Sequence, residues 1–270
     1  MSTERSGSLA DDIASTSWHQ TIELPGGVVT SGRFDNLRER AVLPFPESLA
    51  GKRCLDVGTA DGFWAFEMER RGAAEVVALD VPGRESLDWP RIVDDEEWGV
   101  HAHIDEKRGF RVATEALGSS VRLEQRSVYE LSRGDLGEFD FAFMGSLLLH
   151  LRDPVGALLS VRDVLTRGGV LLSADTISPL LTALHPRQPV ARLEAPGWPL
   201  WWLMNLAAYR RMFAVAGYDV VREGRPFFLK RGPSYRHTAR TPRPLYGRFQ
   251  EAVTRLGLLH SWVLARRPPA

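Results

Sequence analysis

Apolar positions along the chain fall into short runs and helix-spaced stripes that alternate. Cys54, Leu55 and Val57 form a short apolar run ending in Gly58-Thr59-Ala60-Asp61-Gly62, a cluster of turn and helix-capping types. Phe63, Phe66 and Met68 then recur at helical spacing, with Glu67, Glu69, Arg70 and Arg71 opposite, until Gly72 stops the pattern. Val76 to Leu79 is a second apolar run, closed by Asp80. A helix between two such runs predicts a βαβ crossover, with parallel strands covered on both faces. Downstream, the spacing predicts an amphipathic helix over Lys107–Leu117 and strands at Val121–Gln125, Phe139–Met144 and Val170–Thr176. A helix entered at Asp153-Pro154 runs to Arg167-Gly168-Gly169. Asn205 caps a helix through Phe213 and Val215, and Tyr218–Arg222 with Pro226–Leu229 reads as an antiparallel pair. Leu245–Leu264 reads as a last amphipathic helix, with Phe249, Val253, Leu256, Leu259 and Val263 on one side.

The expected architecture is α/β: a Rossmann-like, doubly wound, mostly parallel sheet with an antiparallel C-terminal strand pair, an N-terminal cap and a C-terminal helix. Residues 1–46 divide into a mobile leader of about 14 residues, by composition, and a cap containing a hairpin turned at Pro25-Gly26-Gly27. Residues 47–231 form the cofactor-binding domain, interrupted at 82–105 and 177–202. The first interruption is a flap or loop too long for an ordinary connection; it carries Trp89, Trp98, His101, His103 and an acidic run. Residues 232–270 are a basic linker and the last helix.

Composition narrows the function. With 270 residues, 44% of them hydrophobic and 25% charged, the chain suits one generous domain. Its formal net charge is zero, so no overall field draws it to nucleic acid or membrane, although 11 Lys+Arg lie from Arg222 onward. One cysteine excludes an internal disulfide framework and a cysteine metal cluster, and His101-x-His103 lacks a clear third ligand, so no metal is expected. A polar N-terminus without a signal-peptide pattern, and no apolar run long enough to span a bilayer, lead to the expectation of a cytoplasmic protein with no membrane partner.

The glycine turn admits two cofactor classes. A dinucleotide needs bare backbone against its pyrophosphate; here Ala60 takes the middle position and Asp61 would repel a diphosphate. S-adenosylmethionine has no phosphate and offers an ammonium, a carboxylate, a sulfonium and a ribose diol. Asp56 would orient the turn or meet the ammonium, and Asp80, at the end of the second strand, would accept both ribose hydroxyls. Ser127 and the Val128 N–H follow the third strand, where they would hold the adenine.

The pattern D-x-G-x-x-x-G with an acid closing the next strand resembles motifs I and II of the class I S-adenosylmethionine-dependent methyltransferases. WH-x-x-I-x-L-P-G-G, GK-x-CLDVGTADGFWAFEMERRGA, SVYEL, MGSLLLHLRDP and WW-x-x-N before a helix ending AGY run in one order over about residues 18–230. Together they resemble the family of tRNA wobble-uridine carboxymethyltransferases and their uncharacterised bacterial relatives. The resemblance implies cofactor contacts at Asp56, Gly58, Thr59, Gly62, Asp80, Ser127, Val128 and Met144, and places His150 beside the methyl-transfer site. It also implies departures. The carboxymethyltransferases carry a tyrosine immediately before the equivalent of His150; this chain has Leu149, which offers no hydrogen bond to a donor's extra carboxylate. Ordinary S-adenosylmethionine and methyl transfer to a small-molecule acceptor are therefore expected. A tRNA substrate is the runner-up, and a non-turnover binding partner a third reading.

For the acceptor side, His150 is either a general base or a structural hydrogen-bonding group, and His19 is the second candidate base. Trp18, His19, Trp201, Trp202 and Asn205 are the expected acceptor-binding residues. Trp18 and His19 serve either as a substrate roof or as an aromatic patch that holds the extension down. The last helix leaves a homodimer contact open.

Overall fold

A computed structural model describes residues 8–90, 107–193, 199–235 and 256–269. The described residues open with α1 (Leu9–Ser15), whose cap Ser8 and first-turn partner Asp11 form a reciprocal capping box. Residues 9–14 of the expected leader are therefore helical, because Ser-Leu-Ala-Asp supplies a helix start that composition alone does not reveal. A hairpin of β1 (Glu23–Leu24) and β2 (Val28–Val29) turns at Pro25–Gly27, as expected, and α2 (Asn36–Arg40) follows.

The domain proper runs β3 (Arg53–Val57), α3 (Phe63–Arg70), β4 (Glu75–Asp80), α4 (Arg108–Leu117), β5 (Arg122–Gln125), α5 (Arg133–Leu136), β6 (Phe139–Gly145), α6 (Pro154–Val164) and β7 (Leu165–Thr176). Next come α7 (Pro179–Leu184), a ribbon of β8 (Ala191–Leu193) and β9 (Trp202–Met204), α8 (Leu206–Val215), β10 (Asp219–Glu223), β11 (Phe227–Leu229) and β12 (Leu258–Arg266). The large sheet has the order β10-β12-β7-β6-β3-β4-β5, with β11 also paired to β12. Strands β5, β4, β3, β6 and β7 are parallel to one another, and β12, β10 and β11 are antiparallel additions beyond β7.

The period-two alternation of the strands divides the core. Leu55, Val57, Val77, Leu79, Ala142 and Met144 pack on one face against α6 and α8. Cys54, Val76, Ala78, Phe141 and Phe143 pack on the other, against α3, α4 and the N-terminal segment. Asp56 shares the second face and so points beneath the start of α3.

Three expectations are corrected. Residues 258–264 of the expected C-terminal helix are strand, and 245–255 lie outside the described residues. Leu258–Arg266 lies between β7 on one side and β10 and β11 on the other, so its backbone groups are satisfied by neighbours rather than by a helix. Consequently β10 and β11 do not pair with each other; both pair with β12. The helix after Pro154 ends at Val164, not at the glycines, and Gly168 (φ 79°) is a turn inside an irregular β7. Trp98, Trp198, His101 and His103 lie outside the described residues.

Val263 is fully buried in the middle of β12. Val263→Asp is expected to destabilise the protein by about 4 kcal/mol, the cost of an unpaired buried charge, read as a lower urea midpoint. On the solvent side of a peripheral helix the same change would be nearly neutral.

Candidate functional site

The glycine turn between β3 and α3 is held from below and above by two buried carboxylates. From below, Asp56 accepts from the Thr59 hydroxyl (2.6 Å) and the Ala65 N–H (3.1 Å), and burial pushes its carboxyl up to about 7. From above, Asp61 accepts the backbone N–H groups of His19 (2.6 Å) and Gln20 (2.8 Å), and burial raises it to about 6. Gln20 answers through its side chain, whose Oε1 accepts the Phe63 N–H (3.0 Å). That bond satisfies one of the orphan donors of α3, whose cap Gly62 has no side chain to do so. Gly62 has φ 96°, and a Cβ there would lie 2.5 Å from the Phe66 ring and 2.8 Å from Phe110.

Asp80 ends β4 beside the turn. Its carboxylate accepts the Ala60 N–H (3.0 Å) and the Val81 N–H (2.8 Å) and pairs with the buried Lys107 ammonium (3.2 Å). Two depressions meet at this point. A slot of about 70 Å³ runs past Asp80, Val81, Ser127 and Val128. A cleft of about 310 Å³ runs the other way, past Ala60, Trp64, Ser146 and His19 toward Arg33 and Glu39. Gly58, Asp80, Leu147 and His150 border both. The Ser127 hydroxyl caps the following turn by accepting the Tyr129 N–H (3.3 Å).

The loop after β6 is anchored by Asp175 of β7, which accepts the Leu148 N–H (2.7 Å) and, with its carboxyl raised by burial to about 7, interacts with the neighbouring Leu147 and Leu149 N–H groups. That anchor presents Ser146, at φ 50°, and His150 to the cleft. His150 Nδ1 bonds the Pro199 carbonyl, which fixes the proton on Nδ1 and leaves Nε2 with its lone pair. Burial, and the charge of Arg33, hold His150 below its usual value, so it is neutral. Ser146 Oγ lies 2.9 Å from Nε2 of His260, a residue of β12. Since His260 Nδ1 donates to the Leu258 carbonyl (3.0 Å) and burial lowers its imidazole to about 4, Nε2 accepts the Ser146 proton.

The expected acceptor residues separate. His19 lines the cleft, packed edge-on against Phe34 (5.1 Å). Trp18 is in the core, its Nε1 donating to the Ile13 carbonyl, so it anchors the cap. Trp201 Nε1 bonds the Asp88 carbonyl, and Trp202 Nε1 the Arg152 carbonyl (3.2 Å); both brace the loops behind His150. Asn205 is fully buried, and its amide accepts Ala208 and Val190 N–H groups and donates to the His185 and Gln188 carbonyls. All its bonding capacity is used in capping α8 and holding the 185–190 segment, which leaves none for an acceptor. Met144 and Thr59 lie beneath the turn rather than in either depression. Sequence reasoning did not single out Gln20, Lys107, Asp175, Ser146, His260, Arg33 or Glu39; their chemistry comes from tertiary partners 40 or more positions away in most cases, and none carries a local signature.

S-adenosylmethionine is the cofactor these residues fit: a carboxylate at the β4 end for a diol, an apolar slot beside Ser127 and Val128 for a purine, and no cluster of cations for phosphates. Among the described residues no group of side chains could hold a metal ion, and no helix is long and apolar enough to cross a membrane.

Residues 31–223 match the family model described as a methyltransferase domain. The chain belongs to that family. Among curated proteins, the tRNA U34 carboxymethyltransferase of Stutzerimonas stutzeri is 28% identical over 176 residues, covering 64% of this chain and 47% of that protein. The Pseudomonas aeruginosa enzyme of the same name is 28% identical over 197 residues, covering 72% and 53%. The chain thus spans about half the length of the curated relatives it matches. Among solved structures, the N-terminal domain of EvdMO1 with SAH bound aligns at a TM-score of 0.56 and 19% identity, covering 96% of this chain and 94% of that one, a likeness of fold.

Glu39 borders the cleft, accepts the Asn36 amide (2.9 Å), and is pushed by burial to about 8. It holds its proton more tightly folded than unfolded. Its contribution to stability is therefore full below its ordinary value of 4.5 and is lost as pH rises toward 8. The contributions of Asp56 and Asp175 are lost as pH rises through about 7 and that of Asp61 through about 6, while those of the lowered histidines, of opposite sign, are gained as pH rises through their ordinary value. Stability to urea is expected to fall by about 2 kcal/mol between roughly pH 7 and 8.5, and Glu39→Gln to remove about half of that fall, the rest belonging to Asp56 and Asp175.

Proposed function

We propose that this methyltransferase-family protein moves a methyl group from S-adenosylmethionine to a small-molecule acceptor. The observation that carries the reading is the junction at Gly58, Asp80 and His150, where a slot suited to adenosine opens into a separate cleft walled by aromatic and polar side chains. When bound, the cofactor supplies an activated methyl on a sulfonium. The chain's own work is then to hold the acceptor in line with that methyl and to exclude water.

In this reading Asp80 receives the ribose hydroxyls, Ser127 and Val128 border the adenine, and the turn over Asp56 gives backbone close access. His150 takes the acceptor's proton on Nε2 while its Nδ1–H stays on Pro199. A neutral imidazole is the form that a base needs, and its burial keeps it so at neutral pH. His19 and Ser146 border the same cleft and orient the acceptor.

The names of the curated relatives raise a second reading, modification of a tRNA wobble uridine. Against it stands Leu149, buried at the cleft wall where a hydrogen-bonding tyrosine would be expected. Incubation with methyl-labelled S-adenosylmethionine, small hydroxylated or aminated acceptors and bulk tRNA separates the readings. Label in small molecules is expected; label confined to tRNA gives the second reading, and SAH binding without transfer to any acceptor would leave a binding protein.

Two variants sharpen this. Asp80→Asn is expected to weaken SAH binding by calorimetry by about ten- to a hundredfold, the loss of charge-assisted hydrogen bonds. His150→Gln is expected to lower kcat by about a hundredfold or more with SAH affinity unchanged. Unchanged kcat in the second variant would make His150 a structural group.

A further inference from the structure

The far wall of the cleft carries a cation that no described carboxylate pairs with. Arg33 borders the cleft, and its backbone is pinned from both sides: its N–H donates to the Trp18 and His19 carbonyls (3.1 and 3.0 Å), and its carbonyl accepts the Gly232 N–H (2.8 Å). The guanidinium is thus carried by a fixed roof rather than by a free surface loop. Its Cζ stands 5.4 Å from the centre of the Tyr235 ring, and the Arg231 Cζ stands 4.1 Å from the same ring. Two like charges share one aromatic side chain, and each disfavours the other; burial adds to that cost at Arg33.

Among the described residues Arg33 makes no ion pair with a carboxylate; its side chain hydrogen-bonds Tyr235, a neutral phenol, and its buried Nε has no hydrogen-bond partner. The carboxyls that border the cleft are otherwise engaged. Asp61 is held by backbone N–H groups, Asp80 by Lys107, and Glu39 by Asn36 in surroundings that favour its neutral form. The field of Arg33 also reaches His150, where it disfavours the imidazolium. A half-buried guanidinium without a counter-charge is less favourable than one that a carboxylate meets.

Building on the methyl-transfer reading, we propose that the acceptor is an aromatic acid, whose carboxylate pairs with Arg33 while its nucleophilic hydroxyl or amine faces His150. Guanidinium and carboxylate match as a planar two-bond pair. Phe34, Trp64 and Phe143 border the space between as flat apolar surface for a ring. The carboxylate of the cofactor itself is the other source of such an anion. The cofactor junction lies at Asp80 and Gly58, where Lys107 is the nearby cation, whereas Arg33 belongs to the wall shared with Tyr235. The acceptor is therefore the source assigned.

Titration of the SAH-saturated protein with 4-hydroxybenzoate and its neutral analogue 4-hydroxybenzamide, by calorimetry, tests this. Wild-type protein is expected to prefer the benzoate by about tenfold or more, as a desolvated charge pair implies. Arg33→Met is expected to abolish the preference, and Arg33→Lys to keep part of it, with SAH affinity unchanged in both. Equal binding of the two probes by wild type, no measurable benzoate binding, or a preference that survives in Arg33→Met overturns the inference. A loss of SAH affinity in Arg33→Met without loss of an acid preference assigns the charge to the cofactor carboxylate and overturns it too. Failure of wild type to bind SAH is a different result: it removes the methyl-transfer reading, and this inference with it.

Discussion

The site depends on the burial of two carboxylates around one turn. The segment 58–62 carries three residues in left-handed backbone, Gly58, Ala60 and Gly62, and a chain so bent is held only if the surroundings over-determine it. Asp56 ties the turn to α3 from beneath, and Asp61 ties it to the N-terminal cap from above. Each carboxyl gives up hydration, which is why burial raises both, and each recovers part of that cost in backbone hydrogen bonds. The gain is that Ala60 N–H reaches Asp80 and that Gly58 lies flat enough for Leu147 to approach from the neighbouring loop.

The same bonds make the cap part of the site rather than an appendage. His19 and Gln20 reach the turn through Asp61; Arg33, Phe34 and Asp35 reach the other end of the sheet through Gly232, Arg231 and Lys230 respectively. The cap therefore spans the cleft like a strap fixed at both ends. Its polar side chains take the positions that its backbone dictates, so Arg33 is carried over the cleft, where Tyr235 meets its side chain but supplies no counter-charge. A charge left in that position by the backbone is more readily understood as a ligand contact than as a stabilising one.

The sheet strands and the cofactor turn were legible in the sequence because both are written locally. Cys54 to Val57 and Val76 to Leu79 are apolar runs bounded by turn residues, and Asp56 and Asp80 fall at fixed offsets from the glycines. What was not legible lies in pairs distant in sequence. Asp175 acts on Leu148, Gln20 on Phe63, and Ser146 on His260, separations of 27, 43 and 114 positions. The tryptophans show the converse. Trp18, Trp201 and Trp202 attract attention by residue type, yet their indole N–H groups are taken up by backbone carbonyls.

The misreading of the last element has the same physical origin and a functional consequence. Leu256, Leu259 and Val263 fit a helical stripe, but Leu258–Ala265 is a nearly continuous apolar run, and a run of that kind fits a strand covered on both faces equally well. Periodicity cannot choose between them; the neighbours do. Strand β7 on one side offers an unpaired edge, and β10 and β11 cover the other, so the strand wins because it satisfies both sets of backbone groups at once. Once it is inserted there, the inward side of His260 meets Ser146 and Thr176 at the end of the parallel sheet where ligands gather. A residue near the end of the chain thus sets the hydrogen bonding of a hydroxyl in the cleft. A buried imidazole that accepts this proton is a fixed dipole, and it aims the remaining lone pairs of Ser146 toward whatever the cleft binds.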